Sequence, residues 1–142
     1  MIASEHGVFR ATLSVLPETA SFIVNFCNLH GVGSTDALRL TLIVEELFTN
    51  AVAHGYGGEC DAPIHIALSA DIGSVGLLYE DAAPPYDPSS PLSGLAANLA
   101  GAVESRPIGK LGIHLIRELT DGARYLHGDG RNRIWLRLRR RS

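Results

Sequence analysis

The stretch Thr41–Gly58, TLIVEELFTNAVAHGYGG, decides the fold because it combines an apolar helical stripe with a line of polar groups. Glu46, Asn50 and His54 recur at every fourth position, so a helix places them one turn above another. They border the apolar stripe, which consists of Leu40, Ile43, Val44, Leu47 and Ala51. A carboxylate, an amide and an imidazole beside a buried face are typical of a binding-site wall. An amphipathic helix with ordinary polar residues at its boundary explains this stretch equally well.

Composition describes an ordinary globular chain. Its 142 residues suffice for one domain, and its formal net charge of −3 gives no general attraction to nucleic acid or to an anionic membrane. No apolar run has the length of a membrane span, and the N-terminus has no signal-peptide pattern. We therefore expect a cytoplasmic protein. Cys27 and Cys60 have no metal-binding or CxxC spacing, which indicates free thiols.

The N-terminal third predicts one strand followed by two helices. Residues Gly7–Val15 alternate between apolar and polar, as a half-buried strand does. Residues Glu18–His30 repeat apolar positions at helical spacing, and glycines then end this helix. The side chains of residues 34–36 offer capping oxygens for the long helix, which the glycines at 55, 57 and 58 end.

The rest of the chain alternates strands with one helix. The elements are, in order, strands at 64–68 and 75–79 joined by a turn at 71–74, a helix over 108–121, and strands at 123–127 and 134–138. The stretch 87–107 is rich in Pro, Ser, Gly and Ala, which favours a lid or a binding loop. The pattern predicts an α+β fold of two layers, with a mixed, mainly antiparallel sheet and three helices on one face. Trp135 alternates with the apolar positions of the last strand and is expected on the opposite face of the sheet.

Three separate segments carry groups that suit a nucleotide. The free N–H groups that open a helix at Gly109-x-x-Gly112 suit a polyphosphate. The amide oxygen of Asn50 is a hard ligand that suits Mg²⁺, and Glu46 one turn away can take a proton from a hydroxyl. Asp81 at a strand end can accept a hydrogen bond from an exocyclic amine such as that of adenine. Each segment alone is a weak signal.

Together, these segments resemble the nucleotide-binding boxes of the GHKL (Bergerat-fold) ATPases. EELFTNAVAHGYG is similar to the first box, YEDAAPPYDP to the second, and IGKLGIHLIRELTDGARYLHGDGRNRIWLRL to the third box and the strands after it. Within this superfamily the chain is most similar to the anti-sigma-factor serine/threonine kinases of bacterial partner-switching systems. The resemblance covers nearly the whole chain and implies the Bergerat (histidine-kinase-like ATPase) fold.

The resemblance also implies roles for individual residues. It makes Asn50 the Mg²⁺ ligand, Glu46 the general base toward a substrate serine, and Asp81 the residue that reads adenine. It places His54 beside the nucleotide. The other positions that it adds to the nucleotide-binding set are Ala83, Pro85, Gly109, Lys110, Leu111, Gly112 and Ile113.

The function implied by the resemblance is that of a single kinase-like domain over residues 1–142, with a nucleotide lid at about 87–107. Such a protein binds ATP with Mg²⁺ and holds a sigma factor or another regulatory protein in an inactive complex. It phosphorylates an anti-anti-sigma (STAS-type) antagonist on serine. No direct contact with nucleic acid or membrane is expected, and relatives suggest a homodimer.

Departures from the family pattern leave two alternatives open. The chain has Asp81-Ala82-Ala83 where Asp-x-Gly is usual, Lys110 where glycine is frequent, and Asn132 near the place of a common threonine. A non-catalytic, nucleotide-sensing interaction module is the first alternative, and a module that has lost nucleotide binding is the second. A histidine-kinase catalytic domain is disfavoured because no phosphoacceptor helix precedes the first strand.

Overall fold

Five strands and two helices make up the described part of the chain. The computed structural model describes residues 2–84 and 119–141. The elements are, in order, β1 (Ala3–Arg10), a 3₁₀ turn (Leu13–Val15), α1 (Leu16–Leu29), α2 (Ser34–Asn50), a π-helical turn (Ala51–Gly55), β2 (Pro63–Ala70), β3 (Ser74–Asp81), β4 (Gly122–Gly128) and β5 (Arg131–Arg139).

The strands form one sheet with the order β1-β2-β3-β5-β4, and each pairing of neighbours is antiparallel. The predicted hairpin between β2 and β3 is confirmed. Oδ1 of Asp71 holds its turn by accepting the backbone N–H groups of Gly73 at 2.9 Å and of Ser74 at 2.8 Å. Hairpins force antiparallel pairing, and α1 and α2 return the chain from the end of β1 to the start of β2 beside it.

The two helices lie on one face of the sheet, where alternate strand residues are buried. The large apolar residues buried on the strands are Ile64, Ile66, Leu68, Val75, Leu77, Tyr79, Ile134, Leu136 and Leu138. They share one hydrophobic cluster with helix residues that include Ile23, Phe26, Leu40, Ile43, Val44 and Leu47. Each such side chain stabilises the fold by about 1.5–3 kcal/mol on leaving water. The predicted two-layer α+β sandwich is confirmed, while the predicted third helix lies outside the described residues up to position 118.

The first strand is shifted toward the N-terminus relative to its prediction. It spans Ala3–Arg10 instead of Gly7–Val15. Arg10 is opposite Pro63 in the neighbouring strand, and proline has no N–H to continue the ladder. The alternating apolar pattern continues after this point, but Leu13–Val15 forms a 3₁₀ turn that leads into α1.

The predicted caps of α2 are not those that the structure shows. Gly33 occupies the N-cap position, and no side chain there makes a capping hydrogen bond. Of the three expected capping residues, Ser34 and Thr35 are exposed, whereas Asp36 is buried. Oδ1 of Asp36 accepts a hydrogen bond from Nη1 of Arg39 at 2.8 Å. Asp36 therefore forms a buried ion pair and does not cap the helix.

Arg39 joins α2 to the two ends of the C-terminal segment. Its side chain is 5% exposed, and Nη1 also donates to the carbonyl of Arg139 at 2.9 Å. Nη2 donates to the carbonyl of Leu119 at 2.6 Å. Because Leu119 lies near the end of the helix predicted over 108–121, this guanidinium ties that end to α2.

Two predictions from composition can be compared with the structure. Cys27 and Cys60 are free thiols, as expected. Across residues 2–84 and 119–141, no helix is long and apolar enough to cross a membrane.

Candidate functional site

The C-terminal end of α2 is held beside the end of β3. The hydroxyl of Tyr79 on β3 donates to the carbonyl of Leu47 on α2 at 3.4 Å. Further along both elements, the backbone N–H of Ala82 donates to the hydroxyl of Tyr56 at 2.9 Å. The two contacts advance together along both elements, so α2 and β3 run in the same direction here. Three predicted site residues, Asn50, His54 and Asp81, lie between these contacts, so the two segments that carry them are held side by side.

Two oxygens of the predicted site are buried and have no hydrogen-bond partner among the residues that the structure describes. Asn50 is 5% exposed. Its Oδ1 and Oε2 of Glu46 are buried and accept no hydrogen bond in the part of the chain that the structure describes. An unsatisfied buried polar atom costs about 1–3 kcal/mol. Two such oxygens one helical turn apart indicate a place where a ligand supplies the missing partners.

Burial changes the acidity of Glu46. Removal of the carboxylate from water raises the pKa of Glu46, and the negative charge of the neighbouring Glu45 raises it further. Glu45 itself is exposed, as the sequence predicts. A carboxylate with a raised pKa holds a proton more readily, which suits a general base.

The helix widens immediately after Asn50. The backbone N–H of Tyr56 donates to the carbonyl of Ala51 at 2.7 Å, which is the i to i+5 bond of a π-helix. Such turns occur often at functional sites. His54 lies in this turn and is exposed, so it does not share the buried environment of Asn50. The predicted glycine stop is confirmed, and Gly57 has φ of 73° in the region that favours glycine.

Asp81 is buried in a network with Asn132. Oδ1 of Asp81 accepts from Nδ2 of Asn132 at 2.8 Å and from the backbone N–H of Ala83 at 3.1 Å. Asp81 is 1% exposed and Asn132 is 0% exposed. These bonds fix the orientation of the carboxylate at the end of β3, where the sequence predicts an adenine contact.

Ala83 fits the backbone at its position without strain. Among the non-glycine residues that the structure describes, Asp129 alone has a positive φ, so Ala83 adopts a conformation open to any residue. Its carbonyl accepts a second hydrogen bond from Nδ2 of Asn132 at 3.0 Å. The glycine that is usual here is therefore not required by the backbone conformation.

The network extends to two residues that the sequence reasoning missed. Oδ1 of Asn132 accepts from the hydroxyl of Tyr125 at 2.6 Å, and Nδ1 of His127 lies 3.1 Å from the same oxygen. Asn132 has the same parity on β5 as the buried apolar residues. A polar residue on an otherwise apolar face is the one feature of the sequence that could have pointed to this network. Tyr125 and His127 share a parity on β4, but their register with Asn132 is not visible in the sequence.

Several predicted nucleotide-binding residues lie outside the described residues, and their roles stay predictions. They are Pro85, Gly109, Lys110, Leu111, Gly112 and Ile113, together with the lid predicted at 87–107.

Among the described residues, the predicted site offers a metal ion one oxygen ligand, that of Asn50, and not a complete set of protein ligands. Within residues 2–84 and 119–141, no group of three or more His, Cys, Asp or Glu side chains is arranged to hold a metal. Oδ1 of Asn50, which has no hydrogen-bond partner among the described residues, is an oxygen of the kind that Mg²⁺ accepts when phosphates and water fill the rest of its shell. The site thus fits a metal that arrives with a phosphate ligand.

Solved structures share the fold. The chain superposes on a chain of the SiaB–SiaC complex from Pseudomonas aeruginosa with a TM-score of 0.63 and 17% identity, covering 95% of this chain and 89% of that one. The blue-light activated histidine kinase of Erythrobacter litoralis gives a TM-score of 0.52 and 20% identity, over 75% of this chain and 31% of that one. The histidine kinase domain of the same protein gives a TM-score of 0.52 and 18% identity, over 92% of this chain and 61% of that one. A search of curated protein sequences returned no significant match.

At these identities the structural likeness shows the fold alone. The sequence itself matches the family profile of the histidine kinase-like ATPase domain over residues 9–138. This stretch contains both boxes of the described site and the predicted phosphate loop. The chain therefore belongs to the histidine kinase-like ATPase domain family.

Proposed function

We propose that this protein is an ATP-dependent protein-serine/threonine kinase of a partner-switching system, located in the cytoplasm. It holds a sigma factor or similar regulatory protein and phosphorylates a STAS-type antagonist on serine. The observation that carries the proposal is a pair of buried oxygens on Glu46 and Asn50, one turn apart, that have no hydrogen-bond partner in residues 2–84 and 119–141. Family membership supports ATP as the ligand, and the fold shared with a chain of the SiaB–SiaC complex supports a protein partner.

The nucleotide is held from two sides in this proposal. Asp81, oriented by Asn132 and by the N–H of Ala83, accepts a hydrogen bond from the exocyclic amine of adenine. Asn50 supplies one oxygen ligand to Mg²⁺, which neutralises phosphate charge when bound. The backbone N–H groups expected at 109–112 receive the phosphates.

Glu46 takes part in the transfer itself. The serine oxygen attacks the γ-phosphorus of ATP, the bond from this phosphorus to the bridging oxygen breaks, and ADP leaves with the bonding electrons. Glu46 removes the hydroxyl proton during the attack, and its raised pKa lets the carboxylate retain that proton. Burial of Oε2 keeps water from competing for this oxygen.

The test combines calorimetry with a transfer assay. ATP and ADP are titrated with and without Mg²⁺, and phosphate incorporation into a STAS-type protein of the source organism is followed by mass spectrometry. Asn50→Ala and Asp81→Asn should lose nucleotide binding. Glu46→Gln should keep binding and lose about 10²–10⁴-fold in transfer rate.

Glu45→Gln is the matched control, because Glu45 is exposed on the same helix and should retain transfer. Unchanged transfer by Glu46→Gln removes this residue from the mechanism. Binding of ATP by the wild-type chain without any phosphate transfer assigns it to the non-catalytic, nucleotide-sensing alternative.

A further inference from the structure

The face of the sheet opposite α1 and α2 contains a groove of about 520 Å³. Its floor is a row of cross-strand neighbours, Ser69, Gly76, Arg137 and Gly122, two of which have no side chain. Trp135, one position along the same face of β5, forms a wall, and the predicted orientation of this tryptophan away from the core is confirmed. The groove is therefore a consequence of two glycines that flank an arginine.

Two arginines and one carboxylate, that of Asp71 in the β2–β3 turn, line the groove, so its charge is positive although the chain as a whole is acidic. The guanidinium of Arg124 lies 5.6 Å from the centre of the Trp135 ring, and the exposed Arg137 lies between the two glycines. Neither arginine has a carboxylate partner among the residues that the structure describes. By contrast, Glu80 on the same face pairs with both Arg131 and Arg133. Two unpaired guanidinium groups beside an aromatic ring form a local reversal of the net charge of −3.

We propose that this groove is a docking site for an acidic segment of a partner protein, with one apolar side chain seated against Trp135. The guanidinium group of arginine pairs bidentately with carboxylates, and both aromatic residues and arginine are enriched at protein interfaces. The surface lies on the other face of the sheet from Glu46, Asn50 and Asp81. It thus serves a contact separate from the proposed nucleotide site and does not depend on it.

A second copy of this chain and a nucleic acid are less compatible with the two arginines of the groove. A two-fold dimer through this face would bring Arg124 and Arg137 toward their own copies, where like charges repel. A nucleic acid would need a longer run of phosphate contacts than two arginines can supply.

The sole tryptophan of the chain allows a direct test without nucleotide. Fluorescence of Trp135 is followed while an acetylated pentapeptide of four glutamates around a central leucine is added to millimolar concentration. Analogues with glutamine or lysine in place of glutamate are titrated in parallel. The acidic peptide should shift the emission at low salt, the analogues should not, and the affinity should fall as salt is raised.

Two pairs of variants locate the site. Arg137→Gln should weaken the peptide about fivefold or more, whereas Arg10→Gln, which removes an equal charge from the far edge of the same face, should not. Gly122→Val should fill the groove and abolish binding. Gly128→Val should leave binding intact, because this glycine is on the same face at the other end of β4. A side chain is sterically tolerated at both glycines, since a Cβ meets nothing closer than 4.0 Å.

Each contrary result overturns the proposal. These results are an unchanged emission at millimolar peptide, an equal response to the glutamine analogue, or equal weakening by Arg137→Gln and Arg10→Gln. A stronger response to single-stranded oligothymidylate assigns the groove to nucleic acid. A wild-type dimer in sedimentation that Gly122→Val alone dissociates assigns it to a second copy.

Discussion

Nδ2 of Asn132 donates a hydrogen bond to Oδ1 of Asp81 over 2.8 Å, and both side chains are buried. The two residues are directly opposite in the pairing of β3 with β5, although 51 positions separate them in sequence. The last strand of the sheet thus orients the carboxylate at the end of β3. Asn132 thereby acts as a positioning residue for the proposed adenine contact.

Replacement of Asn132 by Leu should reduce both stability and nucleotide affinity. The substitution removes Nδ2, which donates to Oδ1 of Asp81 and to the carbonyl of Ala83. Each of these two buried acceptors then loses a hydrogen bond. We expect a loss of about 2–3 kcal/mol in the free energy of unfolding, measured in urea. ADP affinity, measured by calorimetry, should fall as the orientation of Asp81 is lost.

Arg137→Gln provides the control for Asn132→Leu, because it changes an exposed residue on the other face of the same strand. It should change the unfolding free energy by less than about 0.5 kcal/mol. An Asn132→Leu variant with wild-type stability and ADP affinity would show that the network does not position Asp81.

Removal of the Asn50 amide should have opposite effects on stability and binding. Oδ1 of Asn50 is buried and has no hydrogen-bond partner in residues 2–84 and 119–141. Its desolvation therefore lowers the free energy of unfolding of the ligand-free protein. Asn50→Leu should therefore raise the unfolding free energy by about 1 kcal/mol while Mg²⁺-dependent ATP binding disappears. Urea denaturation and calorimetry measure the two effects.

Asn25, an exposed amide on α1, offers the matched substitution Asn25→Leu, which should leave ATP binding unchanged. A destabilised Asn50→Leu variant that still binds ATP with Mg²⁺ would mean that Oδ1 has a structural partner and no metal to bind.

Period and parity predict much of the fold, because the three central strands β2, β3 and β5 each have one buried face. The alternation of Ile64, Ile66 and Leu68 and the Asp71–Ser74 turn are sufficient to predict the β2–β3 hairpin, which the structure confirms. The end of β1 is different. It depends on the pairing of Arg10 with Pro63, and this long-range register cannot be read from the local pattern.

For the site, residue type identifies candidates and tertiary contacts decide their surroundings. Glu46 and Asn50 are recognisable at helical spacing, and one oxygen of each is buried, as a site wall would require, with no hydrogen-bond partner in the described part of the chain. His54 has the same spacing but lies in a π-helical turn, which the sequence gives no reason to expect. Asn132 is a polar residue on the face of β5 whose other residues are apolar. Only the register of the sheet shows that it contacts Asp81.

The buried pair of Arg39 and Asp36 should dominate the stability of the C-terminal connection. Arg39→Met removes the donors to Asp36, to the Arg139 carbonyl and to the Leu119 carbonyl. Removal of one member of a buried ion pair costs about 3–5 kcal/mol, so the urea midpoint should fall steeply. In the double variant with Asp36→Asn, the loss should be smaller than the sum of the single losses by 1 kcal/mol or more, on the order expected for coupled neighbours.

Leu38→Ala, an adjacent change at a side chain that is 59% exposed, serves as the control for the Arg39 series and should have little effect. Simple additivity of the two substitutions in the pair would show that Arg39 and Asp36 act independently. Arg39→Lys, which retains the charge without the planar fork, should give an intermediate loss.

The pH dependence of stability should reveal the burial of Glu46. Because burial and the charge of Glu45 raise its pKa, the folded protein holds this proton more tightly than the unfolded chain, whose glutamates titrate near 4.5. The stabilisation from the protonated form is complete below that value and is lost as pH rises through the higher pKa of the folded state. Glu46→Gln lacks this titration. The unfolding free energy of the variant minus that of the wild type should therefore increase from pH 4 to pH 8 in urea titrations. Glu45→Gln, at an exposed position, should show a smaller trend, and a flat or decreasing difference for Glu46→Gln would contradict the burial of its charge.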